Sequence, residues 1–227
     1  MNYLDLKKEG KVFVLTLING NNGNTFSNDV LKDYNAVIDE IENTTENASL
    51  IITSDHPKTW SNGINLEWMM KLPQNELLEF VLNLKRTLLR MTLLNLPTIG
   101  CLTGNAYAAG AIMASGLDFR LMRADRGRFC FPEVNIQIPL GGTFTEIVKL
   151  LPNRHALNEL ALTGVAWGGE ECYPKNVVDA IYSAEELPGK AMELAEMMAD
   201  KDRKTYIEIK RDMRKDLVIM QKEDNIS

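Results

Sequence analysis

Three short stretches carry residue types that could do chemistry together. In Phe129-Cys130-Phe131-Pro132-Glu133-Val134 a single carboxylate follows an apolar, aromatic run. Apolar surroundings disfavour the charged form of a carboxyl, raise its pKa and make it a competent general base near neutral pH. A solvated Glu in the first turn of a helix after Pro132 is the other reading of the same residues. In Trp60-Ser61-Asn62-Gly63-Ile64-Asn65-Leu66, a turn between a strand and a helix, backbone N–H groups at the helix start could converge on an anion or oxyanion. A plain turn, with Gly63 at positive φ and Asn65 as the helix cap, uses those residues equally well. In Gly104-Asn105-Ala106-Tyr107-Ala108-Ala109-Gly110-Ala111, small side chains allow close backbone approach ahead of a helix. That suits a second N–H donor or simply tight helix–sheet packing.

What is missing narrows the chemistry. With two histidines and three widely spaced cysteines among 227 residues, and neither a CxxC nor an HxxxH pattern, no metal site or His-based triad has its parts. Cys101, Cys130 and Cys172 sit among apolar neighbours, as reduced core thiols do. A net charge of −6 with no clustered basic surface argues against nucleic acid. The charged start, MNYLDLKKEGKV, and the absence of a long apolar run imply no signal peptide and no membrane partner. The terminal Asn225-Ile226-Ser227 is not a peroxisomal address, so the cytoplasm is the expected location. Carboxylate and backbone groups are left to do the work.

The elements that must position these stretches follow from periodicity. Val12–Ile18 reads as a strand, followed by the turn-rich NGNNGN and a helix carrying Val30, Leu31, Tyr34, Val37, Ile38 and Ile41. Leu50–Thr53 predicts a second strand, with helices starting near Asn65 and over Asn75–Leu94. Pro97 ends the latter, Thr98–Leu102 and Phe119–Met122 read as strands, and the small-residue run between them opens a helix. Strands alternating with helices predict parallel pairing in an α/β architecture. Beyond Phe131 the chain turns helical, with amphipathic patterns over Glu146–Leu151, Arg154–Leu162 and Lys190–Met198. The final segment, Arg203–Lys222, should dock one face on this chain or a neighbouring subunit, and its basic run KRDMRK reads as a solvated helix face.

Taken in order and spacing, WSNGINLEWM, GNAYAAGAIMASGLDFRLMRADRGRF, FPEVNI, LTGVAW and Val177-Val178-Asp179 together resemble the crotonase family of acyl-CoA enzymes. The wording of SNGINLEW and AYAAGA is most similar to its Δ3,Δ2-enoyl-CoA isomerases of fatty-acid oxidation. The resemblance implies an α/β, crotonase-like ββα-spiral core over residues 1–187 and a helical docking or oligomerisation segment over 188–227. It implies a trimer or hexamer and an acyl-CoA partner, the thioester being substrate and no separate cofactor being needed. By the same carry-over the oxyanion-hole N–H groups belong to Ile64 and Ala109. Ser61, Asn62, Gly63, Asn65, Leu66 and Gly110 fall in the substrate-binding loops, and Asn24 and Thr25 in the adenine-contact region. Hydratases of the family use two Glu residues; here those positions are Ile112 and Glu133, so a hydration pair lacks one half. A double-bond shift needs one base and an oxyanion hole, and Glu133 suffices. Two alternatives stay open: a hydratase or other crotonase reaction with an acid such as Glu67 positioning water, and a catalytically silent scaffold on the same fold. Asn65 stands where many members carry Asp, and Gln137–Gly142 is shorter than the usual Gly-rich stretch bordering the acyl pocket.

Overall fold

The computed structural model describes residues 1–224. The chain begins with the hairpin β1 (Leu4–Glu9) and β2 (Val12–Leu17), followed by helix α1 (Asn28–Glu42). Three turns of a repeating unit come next, each giving one long strand, one short strand and helix. They are β3 (Ser49–Ser54), β4 (Thr59–Ser61), α2 (Leu66–Met69) and α3 (Gln74–Thr92); β5 (Thr98–Leu102), β6 (Asn105–Tyr107) and α4 (Ala109–Gly116); and β7 (Phe119–Arg123), β8 (Phe129–Cys130) and α5 (Gly142–Val148). The remainder is α6 (Arg154–Thr163), β9 (Ala166–Trp167), α7 (Gly169–Cys172), β10 (Ala180–Tyr182), α8 (Leu187–Ala199), α9 (Arg203–Met213) and α10 (Lys215–Asp224).

The long strands build a six-stranded sheet in the order β1-β2-β3-β5-β7-β10, and the short ones a four-stranded sheet in the order β4-β6-β8-β9. This is the ββα spiral that the resemblance implies. Pairing is parallel along the large sheet except for β1, which runs antiparallel to β2. The β8–β9 pair is likewise antiparallel. The expectation of parallel pairing therefore fails at one edge of each sheet. β1 carries the charged LDLKKE pattern, which hides a strand from periodicity and guards an edge from further pairing.

Because side chains alternate across a strand, the large sheet feeds two apolar layers. Leu15, Leu50, Ile52, Leu102 and Met122 join α1, α3 and α4 in the main core. Val12, Ile51, Ile99, Cys101 and Leu121 point to the other face, which Leu187, Ala191 and Ala195 of α8 cover. All three cysteines are free and buried. Burial pushes the Cys101 and Cys130 thiols up to about 11 and that of Cys172 to about 12, so none is a thiolate nucleophile at neutral pH.

The C-terminal helices fold back on their own chain. Arg203 is buried and donates to the carbonyls of Asn95 at 2.7 Å, Glu46 at 2.7 Å and Ile41 at 3.2 Å. Leu217 of α10 enters the main core, where the helix packs on α3 and α5. The basic run KRDMRK is the solvated face its composition suggests only in part: Asp212, Met213 and Lys215 are exposed, whereas Lys210 and Arg214 turn inward. Lys210 Nζ lies 2.9 Å and Arg214 Nη2 2.7 Å from the carboxylate of buried Asp118, which also accepts from Thr98 N–H at 2.8 Å. Burial works to raise the Asp118 pKa, and the two cations outweigh it and hold the carboxyl below its ordinary value. Composition counts these charges without showing that an aspartate a hundred residues away neutralises them. Among the described residues no helix is long and apolar enough to cross a membrane. The Asn225–Ser227 address lies outside the described residues.

Candidate active site

The first donor loop is built backward from Trp60. Its indole is fully buried and Nε1–H donates to the Ile52 carbonyl at 3.1 Å, so the end of β4 is fixed to β3. The loop that follows is laced to residues 23–26. Asn62 N–H donates to Gly23 O at 2.9 Å, Phe26 N–H to Gly63 O at 2.7 Å and Asn65 N–H to Phe26 O at 3.2 Å. Phe26 and Ile64 thus form an isolated parallel bridge. The groups flanking Ile64 face Phe26, so the Ile64 N–H itself is turned the other way, toward a cleft that Ile64 helps to line. Gly63 makes the turn at φ +80.

The second donor sits where β6 passes into α4. Ala108 holds a φ of 48, a left-handed value that costs an alanine on the order of 1–3 kcal/mol and is kept only where the surroundings impose it. Here Ala108 N–H is tied to the Cys130 carbonyl at 3.0 Å. The kink starts α4 abruptly, and Ala109, its first residue, has no intrahelical acceptor for its N–H. Among the described residues neither the Ile64 nor the Ala109 N–H meets an acceptor. The two loops lie back to back: a Cβ placed on Gly63 would fall 2.8 Å from Ala109 N, and one on Gly110 would fall 2.3 Å from the Ser61 carbonyl oxygen. Small residues in both loops are therefore a packing requirement.

Glu133 closes the arrangement. The strand β8 and the edge-to-face pair of Phe129 and Phe131, 5.5 Å between centroids, lead into a turn in which Ile136 N–H donates to Pro132 O and Ile138 N–H to Glu133 O. Glu133 is not the solvated side chain of an opening helix: it is only 9% exposed, and its Oε2 is buried without a hydrogen-bond partner. Burial raises its pKa and outweighs the opposing effect of its own backbone N–H. An unpaired carboxylate oxygen in an apolar wall is costly to maintain, and it is ready to receive a proton.

These groups line one cleft of about 380 Å³. Asn62, Ile64, Leu66, Ala109, Ile112 and Glu133, all expected at the site, are in its wall. Ser61, Gly63, Asn65 and Gly110 stand behind it as framework. Ser61 Oγ donates to Asn24 O at 2.9 Å, and Asn65 caps α2 by accepting from Trp68 N–H at 3.0 Å. Asn24 and Thr25, which the resemblance puts in the adenine-contact region, stand outside this cleft. The Asn24 side chain is buried, donating to Ser54 Oγ at 2.9 Å and Trp60 O at 3.0 Å, while Thr25 Oγ1 donates to Asn22 O. Both hold the first loop together. Glu67, the alternative water-positioning acid, has a side chain 85% exposed and pairs with Lys71 at 3.0 Å, away from the cleft.

The wall also holds Asn105, Tyr107, Ile136, Ile138 and Leu140, from segments the sequence reading puts near the site, and Leu84 and Phe144, which it does not single out. Asn105 and Tyr107 share a face of β6 by simple alternation, a signal masked by the small residues around them. Leu84 on α3 and Phe144 on α5 are indistinguishable in pattern from ordinary core positions. Among the described residues Glu133 is the sole carboxyl in this wall. If it acts as a base, kcat/KM must fall as pH drops through its raised pKa. The acid limb of the pH profile is expected above the range of a solvated Glu, and a profile flat down to that range would contradict the assignment.

Known proteins resemble this chain in sequence and in fold. The family model described as enoyl-CoA hydratase/isomerase matches residues 7–227. Enoyl-CoA delta isomerase 3 of Arabidopsis thaliana is 31% identical over 202 residues, 86% of this chain and 84% of the relative. The short-chain-enoyl-CoA hydratase of Clostridium acetobutylicum is 29% identical over 195 residues, 86% of this chain and 74% of the relative. Among solved structures, an enoyl-CoA hydratase/isomerase family protein from Pseudomonas syringae aligns with a TM-score of 0.89 at 24% identity, covering 98% of this chain and 95% of that one.

Proposed function

The chain belongs to the enoyl-CoA hydratase/isomerase family, and on that premise we propose that it moves the double bond of a 3-enoyl-CoA to the 2-position with Glu133 as its one acid–base group. The thioester oxygen sits between the Ile64 and Ala109 N–H groups. The Glu133 carboxylate takes a proton from C2, the C2–H electrons form a C1=C2 bond as the carbonyl pair moves onto the thioester oxygen, and the resulting dienolate, its C3=C4 bond intact, is held by the two donors. As the carbonyl re-forms, the C1=C2 pair becomes the C2=C3 bond of the product and the C3=C4 pair is freed to take up a proton at C4. Glu133 then returns the proton to C4, so no group is consumed and no external acid is required. The N-terminal end of α4 adds its partial positive charge where the enolate oxygen develops. Ketosteroid isomerase follows the same logic, pairing one carboxyl base with an oxyanion hole.

One observation carries the choice of reaction: among the described residues the cleft wall holds one carboxyl, with a buried and unpaired oxygen, and apolar Ile112. Adding water to a 2-enoyl-CoA requires that a water be held and deprotonated while C2 is protonated, and one carboxyl facing Ile112, with amide and phenol groups as the other polar side chains of the wall, supplies one acid–base group for the two proton transfers. The likeness to the Clostridium hydratase makes hydration the competing reading. Purified protein given a 3-enoyl-CoA should develop the absorbance of the conjugated thioester, and given a 2-enoyl-CoA should leave that absorbance nearly constant. Rapid loss of conjugation in the second assay would replace isomerisation with hydration.

A further inference from the structure

We infer that Arg214, at the junction of α9 and α10, is a positioning residue for the Ala109 oxyanion donor, acting along α4. The inference rests on the proposed reaction, because it concerns the donor which that reaction uses. Helix α4 has eight residues, all buried, and spans about 12 Å. Its first residue supplies the N–H at the cleft, so a shift of the helix along its axis moves the donor by the same amount. At the far end Arg214 Nη1 donates to the Gly116 carbonyl at 3.0 Å and also to the Thr92 carbonyl at the end of α3. Nη2 lies 2.7 Å from Asp118 Oδ1.

The two helix ends are pressed together where this guanidinium reaches them. A Cβ on Gly116 would fall 2.3 Å from Thr92 Oγ1. Since α3 supplies Leu84 and α4 supplies Ala109 and Ile112, one planar fork ties together the far ends of the two helices that carry these parts of the cleft wall. A guanidinium at two helix C-termini also complements both dipoles. Lysine can keep the charge opposite Asp118 but not the fixed fork. The fold has independent support if Arg214 is changed: Arg120 Nη1 donates to Leu117 O at 2.7 Å, and Lys210 stays paired with Asp118.

The test uses the full chain, with Arg214→Lys and Arg214→Met, and a saturated acyl-CoA labelled with ¹³C at the thioester carbonyl. Difference infrared spectroscopy reads the lowering of the carbonyl stretch on binding, alongside kcat and KM on a 3-enoyl-CoA. The expected result is a lowered stretch in the wild type and a smaller lowering in both variants. With it, kcat falls by about 10-fold or more, as sub-ångström to ångström misplacement can produce, while KM changes little. Folded variants that keep the full carbonyl shift, whatever their melting temperature, would overturn the inference and leave the proposed function standing. A wild type that binds the acyl-CoA without any shift would overturn the oxyanion reading itself, and this inference with it.

Discussion

Glu133→Gln is expected to lower kcat for double-bond isomerisation by about 10²- to 10⁴-fold, the range for loss of a positioned acid–base group. The same substitution should not destabilise the protein. The Glu133 pKa is raised in the folded state, so the folded protein holds that proton more tightly than the unfolded chain does. Above the folded pKa the native state must carry a buried charge that the unfolded state carries in water. Stability contributed by the neutral form is therefore present at low pH and lost as pH rises through the raised pKa. At neutral pH a glutamine of the same shape removes the buried charge. The melting temperature of the variant should equal or exceed that of the wild type, and its difference should shrink as pH is lowered. Lost activity with an undiminished melting temperature assigns the defect to chemistry. Full activity in Glu133→Gln would remove the proposed mechanism.

Gly63→Ala should be nearly as damaging through the other half of the site. The residue has φ +80, and its new Cβ would lie 2.8 Å from Ala109 N and 2.9 Å from the Tyr107 carbonyl oxygen, both backbone atoms that cannot swing aside. Either the Ile64 loop or the start of α4 must move, and the two N–H groups no longer address one oxygen. Loss of one oxyanion donor typically costs about 10²- to 10³-fold in kcat, and that is the expected decrease. Gly10→Ala is a matched control. Gly10 has φ +59 in the β1–β2 turn, and an added methyl group there would meet nothing within 4 Å, so it shares the backbone strain without the clash. Both variants should lose a comparable amount of stability to the left-handed φ, on the order of 1–2 kcal/mol. Only Gly63→Ala should lose turnover, and equal activity in the two would show that the contact between the loops is not needed.

The sequence exposed the chemistry of this site more readily than its shape. Glu133, the two small-residue loops and the long alternating strands announce themselves through composition and period. Helix α1 lies where its six apolar residues predict, because a 3.6-residue period has no competing reading there. The short strands β4, β6, β8 and β9 escape periodicity, since two or three residues fix no period, yet β6 carries Asn105 and Tyr107 into the cleft wall and β4 and β8 lead into its Asn62–Ile64 and Pro132–Glu133 segments. The fate of Asn24 was equally hidden. An asparagine in an Asn-rich turn reads as exposed, and only the long-range bonds to Ser54 and Trp60 reveal it as a buried brace. The basic residues of α9 misled for the same reason: their partner, Asp118, is far away in sequence. Local pattern reports what a segment prefers, whereas burial of a charge is decided by what the rest of the chain places opposite it.

The central claim is that one carboxyl moves one proton within the substrate and adds nothing to it. The mass of the main product formed from a 3-enoyl-CoA in deuterium oxide tests this most directly. The account predicts a 2-enoyl-CoA carrying at most a single deuterium, at C4, placed there if the Glu133 proton exchanges before its return. A 3-enoyl-CoA left unchanged by a protein that adds D₂O to a 2-enoyl-CoA would contradict it and make the protein a hydratase.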